Sequence, residues 1–140
     1  MIKISNDRLL HSIGVARLME EISRNIYQWN EEKCHEMFVL GYLHDIGYEY
    51  SKIQSEHPVI GGLLLKKSNY KYWKEVYYHG SLCYEYQSLE LDLLNTADMQ
   101  INGFGKKVTV EERLIDIKDR YGYDSKQYLE AAELAKRLKL

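Results

Sequence analysis

His11, the adjacent pair His44 and Asp45, then His57 and His79, and finally Asp98 follow one another along this 140-residue chain and take up four of its five histidines. Imidazole nitrogens and carboxylate oxygens together suit divalent transition metals such as iron, manganese, cobalt, nickel or zinc, whereas all-oxygen sites favour magnesium and calcium. Each of these residues falls on or beside an apolar helical stripe, where an uncompensated polar group is costly to bury. The set therefore reads as a buried site for one or two divalent ions. Neighbouring residues on a helix point about 100° apart, so His44 and Asp45 can both ligate only at a site wedged between helices, with Asp45 able to bridge two ions. Two such ions suit the attack of water on phosphorus together with stabilisation of the departing oxygen, which makes His44 and Asp45 the candidate catalytic pair. His35 falls outside the pattern, beside Cys34 near a helix start, and reads as a surface residue.

The elements that must position these groups are helices. One proline in the chain and few stretches of period-two alternation predict an all-α fold, a single-domain bundle of about six to seven helices. A first helix from about Asp7 to Gln28 puts His11, Val15, Leu18 and Ile22 on one face. Asn30 caps a second helix that carries Met37, Leu40 and His44 and ends near Gly47. After a loop over 48–56, His57-Pro58 opens a third helix running to Lys67. A short fourth, about Lys71 to His79, aligns Tyr72, Val76 and His79 and stops before Gly80. The fifth, about Leu89 to Ile101, embeds Asp98 in a stripe of Leu91, Leu94 and Ile101, where a buried carboxylate either protonates or finds a cation, and a metal would serve as its partner. Thr109 to Glu112 forms a capping box for a sixth helix ending at Tyr121, and a last helix covers about 125–138, packed as a lid on the bundle.

Composition narrows the class of partner. Charged residues at 29% and hydrophobic ones at 45% describe a globular protein. A net charge of −2 and a pI near 6.2 give no concentrated basic face for double-stranded nucleic acid or an anionic membrane. The N-terminal segment has no long apolar core, and Cys34 and Cys83 lack a C-x-x-C spacing, so a reduced, cytoplasmic protein is expected.

The ordered set His11, His44-Asp45 and Asp98, with His44-Asp45-Ile46-Gly47 at its centre, resembles the HD superfamily of metal-dependent phosphohydrolases over about residues 8–121. His57-Pro58 followed by Gly61, and His79 closing the next helix, look like the two additional histidines of the dinuclear branches, which include cyclic-dinucleotide phosphodiesterases and symmetrical dinucleoside-tetraphosphate hydrolases. The resemblance implies that His11, His44, Asp45 and Asp98 hold one metal, with His57, His79 and a bridging Asp45 holding a second. It also implies hydrolysis of a phosphate ester or anhydride of a small metabolite or nucleotide. A di-iron oxygenase of the same superfamily and a non-catalytic nucleotide or metal sensor are the alternatives.

The chain departs from many of these relatives in one position. They carry lysine directly after the His-Asp-Ile-Gly tetrad, and this chain has Tyr48, which can donate a hydrogen bond but brings no charge. Charge for a substrate phosphate must come from elsewhere, and Lys52, Arg17, Lys106 and Lys107 are the candidates. Nine of the thirteen tyrosines lie between Tyr42 and Tyr86. Tyr72 reads as core, while Tyr48, Tyr50, Tyr84 and Tyr86 sit in predicted loops where they can line an entrance and stack on a base.

Overall fold

Four of the helix starts are written in polar side chains that accept hydrogen bonds from otherwise orphaned backbone N–H groups. In the computed structural model, which describes residues 6–50, 56–82 and 85–140, the side chain of Asn30 accepts from Lys33 N at 2.8 Å, Ser88 from Leu91 N at 2.9 Å and Ser125 from Tyr128 N at 3.1 Å. Thr109 and Glu112 close the reciprocal capping box. The resulting α-helices are α1 (Asn6–Asn25), α2 (Glu31–Leu43), α3 (His57–Lys67), α4 (Trp73–Tyr78), α5 (Leu89–Asp98), α6 (Val110–Tyr121) and α7 (Lys126–Arg137). A single 3-10 turn, Ile46–Glu49, follows α2. An isolated antiparallel bridge between Ile101 and Lys107 is the β feature among the described residues. The fold is all-α.

Val15, Leu18 and Met19 of α1, Met37 and Leu40 of α2, Leu65 of α3, Val76 of α4, and Leu93, Leu94 and Ala97 of α5 meet in one core with Ile46. Each of these helices offers its apolar stripe to the centre, and burial of such side chains contributes about 1.5–3 kcal/mol apiece. α1 and α2 approach closely because Gly41 has no side chain: a Cβ there would lie 2.6 Å from Ala16 Cα. Gly47 does the same for the 3-10 turn and α3, since a Cβ on it would collide with the carbonyl of His57.

Four ends differ from the periodicity-based expectation, and three of them bear on the polar centre. α2 stops at Leu43 instead of continuing to Gly47, with His44 as its C-cap and Asp45 at φ −100°, ψ 15°. That backbone conformation lies outside the helix and is one in which active-site residues are often found. The break removes the 100° divergence that a helix would impose, so both side chains turn to the same point. α4 ends at Tyr78, and His79 leaves it in extended conformation at ψ 140°. α5 ends at Asp98, not Ile101, because Met99 caps it and Ile101 joins the bridge to Lys107. α1 likewise ends at Asn25, before the left-handed Gln28 at φ 57°.

Candidate metal centre

The side chains of His11, His44, Asp45, His57, His79 and Asp98 converge at the open end of the core, where α1, α2, α3, α4 and α5 all begin or end near one another or pass by. His11 and His44 are 1% and 0% exposed, Asp45 4% and His79 3%, while His57 and Asp98 are half-buried at the cavity mouth. Asp45 divides them. Its Oδ1 lies 3.1 Å from His57 Nε2 and 3.4 Å from His79 Nε2. Its Oδ2 lies 3.3 Å from His44 Nε2 and 3.6 Å from His11 Nε2. Asp98 Oδ1 completes the second side, 2.8 Å from His11 Nε2 and 3.3 Å from His44 Nε2.

Ring orientation is set from behind. His44 Nδ1 donates to Gly41 O at 2.6 Å, His79 Nδ1 to Val76 O at 2.6 Å and His11 Nδ1 to Asn102 O at 3.1 Å. With Nδ1 protonated and committed, the neutral ring turns an Nε2 lone pair inward, which is how backbone carbonyls prepare histidines as metal ligands. His44 Nε2 is fully buried and makes no hydrogen bond. Such an orphaned nitrogen is costly unless a cation or proton meets it. The ligand atoms of His11, His44 and Asp98 lie within 4.8 Å of one another, as do those of His44, Asp45 and His79. These two groups share His44, and their donor set of nitrogens and carboxylate oxygens fits a divalent transition metal.

Electrostatics agree with a site built for positive charge. Burial alone would raise the carboxyl pKa values of Asp45 and Asp98, but the imidazole of His44, helped by the neighbouring histidines, holds both well below the usual range. Burial opposes charge on His44, yet Asp45 and Asp98 lift it to about 10. His79, the most desolvated of the second group, is pushed down by burial and by His57 and His44.

A cavity of about 640 Å³ opens from this centre. Tyr48 lines it, its ring stacked 3.9 Å from that of His57 and its phenol pushed up by burial and by Asp45, which keeps it a neutral donor. Arg17 and Lys106 do not line it. Arg17 is exposed because it lies six residues beyond His11 and so faces away on α1. Lys106 and Lys107 point to solvent from the turn that Asn102 organises through its side-chain contact with Lys106 N at 3.0 Å. Lys52 and Tyr84 lie outside the described residues. Tyr50 is exposed away from the centre, Tyr86 donates to Glu75 at 2.5 Å, and Tyr72 is core as expected, donating to Glu36 at 2.6 Å. His35 is exposed and Cys34 is buried with a free thiol.

The cations that do face the cavity are Arg8 and Arg113 near the metal ligands, with Arg120 and Lys126 farther along its wall. Arg8 Nη2 donates to Asp45 Oδ2 at 2.8 Å, and its guanidinium sits 4.2 Å from the Tyr48 ring centre. Arg113 Nε donates to the Asp98 carbonyl at 3.3 Å. Arg8 had a sequence signal, being one turn before His11 on the same face of α1. Arg113 had none, since only the path of the chain after α5 swings α6 across the opening. Asn95 is a further residue that the pattern did not single out: buried, three residues before Asp98, it accepts from Gly80 N at 2.8 Å and so ties α5 to the turn that carries His79.

The family described as HD domain matches residues 8–124, a stretch that holds all six convergent side chains and ends just before α7. No curated protein and no solved structure matches the chain.

Proposed function

The chain belongs to the HD-domain family, whose members bind divalent metals and are mostly hydrolases, and from that membership we propose that it is a metal-dependent phosphohydrolase acting on a phosphate ester or anhydride of a nucleotide or similar small metabolite. The observation that carries the reading is the Asp45 carboxylate, with His57 and His79 on one oxygen and His44 and His11 on the other. His11, His44, Asp45 and Asp98 would hold one ion, and His57, His79 and the second oxygen of Asp45 another. When bound, the metal supplies the Lewis acidity that makes water a nucleophile at neutral pH and withdraws charge from phosphorus.

The chain's own residues do the rest. Arg8 provides the cation that Tyr48 lacks: its guanidinium lines the cavity beside Asp45, where it can meet a phosphoryl oxygen. Tyr48 lies between Arg8 and His57 and orients both through its two faces. Arg113, anchored on the Asp98 carbonyl, brings a second positive charge to the same opening. His44 and Asp45, held by Gly41 and by the break after α2, keep the reacting centre dry and rigid.

Protein loaded with manganese or cobalt and assayed without oxygen is expected to release phosphate from at least one nucleotide or phosphorylated metabolite, and Asp98→Asn, which keeps shape but removes ligand charge, is expected to lose that release. Turnover only with iron and only in air would replace this reading with the oxygenase, and nucleotide binding without any turnover would replace it with the sensor.

A further inference from the structure

The metal ligands and the two arginines occupy only one end of a cavity of about 640 Å³, a size within the roughly 300–1,000 Å³ of sites that take whole organic ligands. A phosphate needs far less. A further part of the wall is α7, where Gln127, Glu130, Ala131 and Leu134 recur at i, i+3, i+4 and i+7 and all line the cavity. α7 is not loosely laid there. Leu134 and Ala135 are buried, Ser125 caps its start, and Arg137 Nη1 near its end donates to the carbonyl of Leu82, three residues beyond His79, at 3.0 Å. Residues 126–137 also fall just past the family match, so this wall is a contribution separate from the metal-binding frame.

We propose that the inward face of α7 is a leaving-group subsite, in which Gln127 and Glu130 bind a planar, amino-bearing group of the nucleobase kind while the phosphate lies toward Arg8 and Arg113. The proposal rests on the phosphohydrolase reading and adds the side chains that would select among its nucleotide substrates. A carboxylate only accepts hydrogen bonds and an amide both accepts and donates, so Glu130 and Gln127, one turn apart, match a ring edge that presents an amino group beside a ring nitrogen. A phosphate offers no donor to such an edge and is repelled by Glu130. Ala131 and Leu134 give the ring a flat apolar bed on the same face. Lys126, paired with Glu130 at 3.7 Å, also borders the cavity but is 83% exposed, whereas Glu130 is the more buried of the pair at 33%.

The test compares the manganese-loaded protein on adenosine, guanosine, cytidine and uridine 5′-monophosphates and on glycerol 3-phosphate, with nucleoside binding followed separately by calorimetry. At least one amino-bearing nucleotide is expected to exceed both uridine monophosphate and glycerol phosphate in kcat/KM by roughly tenfold or more. Gln127→Ala and Glu130→Ala should each shrink that ratio about tenfold, chiefly through KM, with metal content retained, whereas Lys136→Ala on the exposed face of α7 should leave it unchanged. A parent with no such preference, or one whose preference survives both substitutions, overturns the proposal. If no ester is hydrolysed at all, the phosphohydrolase reading fails and calorimetry still decides the subsite: loss of amino-bearing nucleoside binding in Glu130→Ala supports it, and absence of binding to the parent overturns it. Should Glu130→Ala melt before assay, Glu130→Gln carries the same measurement, because it keeps the volume and changes the acceptor edge.

Discussion

His44 is the residue on which proton and metal compete. Buried and without a hydrogen bond at Nε2, it is lifted to about 10 by Asp45 and Asp98 against the penalty of burial. Its folded value lies above the unfolded value of 6.5, so in metal-free protein its contribution to stability is fully present below about pH 6.5 and is lost as pH rises through about 10. Asp45 and Asp98 act at the other end, since their depressed values give stability that is present above about pH 4 and fades only as pH falls through them. His79, held down by burial, works the other way and loses stability as pH falls below its unfolded value of 6.5, so the metal-free protein should be most stable near pH 6.5 and melt progressively lower toward pH 10. Metal must displace the proton from His44, so binding at pH 7.5 should release about one proton, and affinity should rise as pH increases. Calorimetry in two buffers of different ionisation enthalpy reads this directly, and metal uptake without proton release would contradict the assignment of His44 as a ligand.

At the level of elements, the second half of the centre depends on how closely the 3-10 turn after α2 meets the start of α3. Gly47 is the contact point, with no room for a Cβ against the His57 carbonyl. Gly47→Ala must push α3 away, at a cost of about 1–3 kcal/mol for the forced backbone shift, and it moves His57 with the helix. The expected outcome is a lower Tm together with a fall toward one metal equivalent, measured by elemental analysis of the purified variant. A variant with parental Tm and parental metal content would show that the turn and α3 do not set the second half-site. The break after Leu43 serves the same end, because an uninterrupted helix would aim Asp45 away from His44.

Across the whole molecule the six candidate ligands come from α1, the end of α2, the start of α3, the end of α4 and the end of α5, so a metal held by them would cross-link elements distant in sequence. Ligands that bind only the folded state add stability by mass action, about 4 kcal/mol at a thousandfold excess over Kd. For a domain of this size that corresponds to a Tm lowered by roughly 10 °C on chelation and restored by manganese or cobalt. A Tm indifferent to chelator in protein shown to have carried metal would argue against such a cross-link. Among the described residues no helix is long and apolar enough to cross a membrane.

Periodicity and caps in the sequence pointed to six to seven helices and to His11, His44, His79 and Asp98 on buried stripes, because a stripe repeating every three to four residues states which side of a helix is buried, while Pro58 put His57 at the mouth of the third helix. Local rules also carried the starts of α2, α6 and α7, where Asn30, Thr109 and Ser125 satisfy backbone N–H groups within one turn. What lies opposite a buried face is a long-range property, and there residue type misled: Arg17 and Lys106 have the right charge but point to solvent, while Arg8 and Arg113 reach the cavity. The same limit concealed the end of α2 at Leu43, the hold of Asn95 on Gly80 and which residues of α7 face the cavity. Each of these is decided by a contact between segments far apart in the chain, and such a contact leaves no period in the sequence on either side of it.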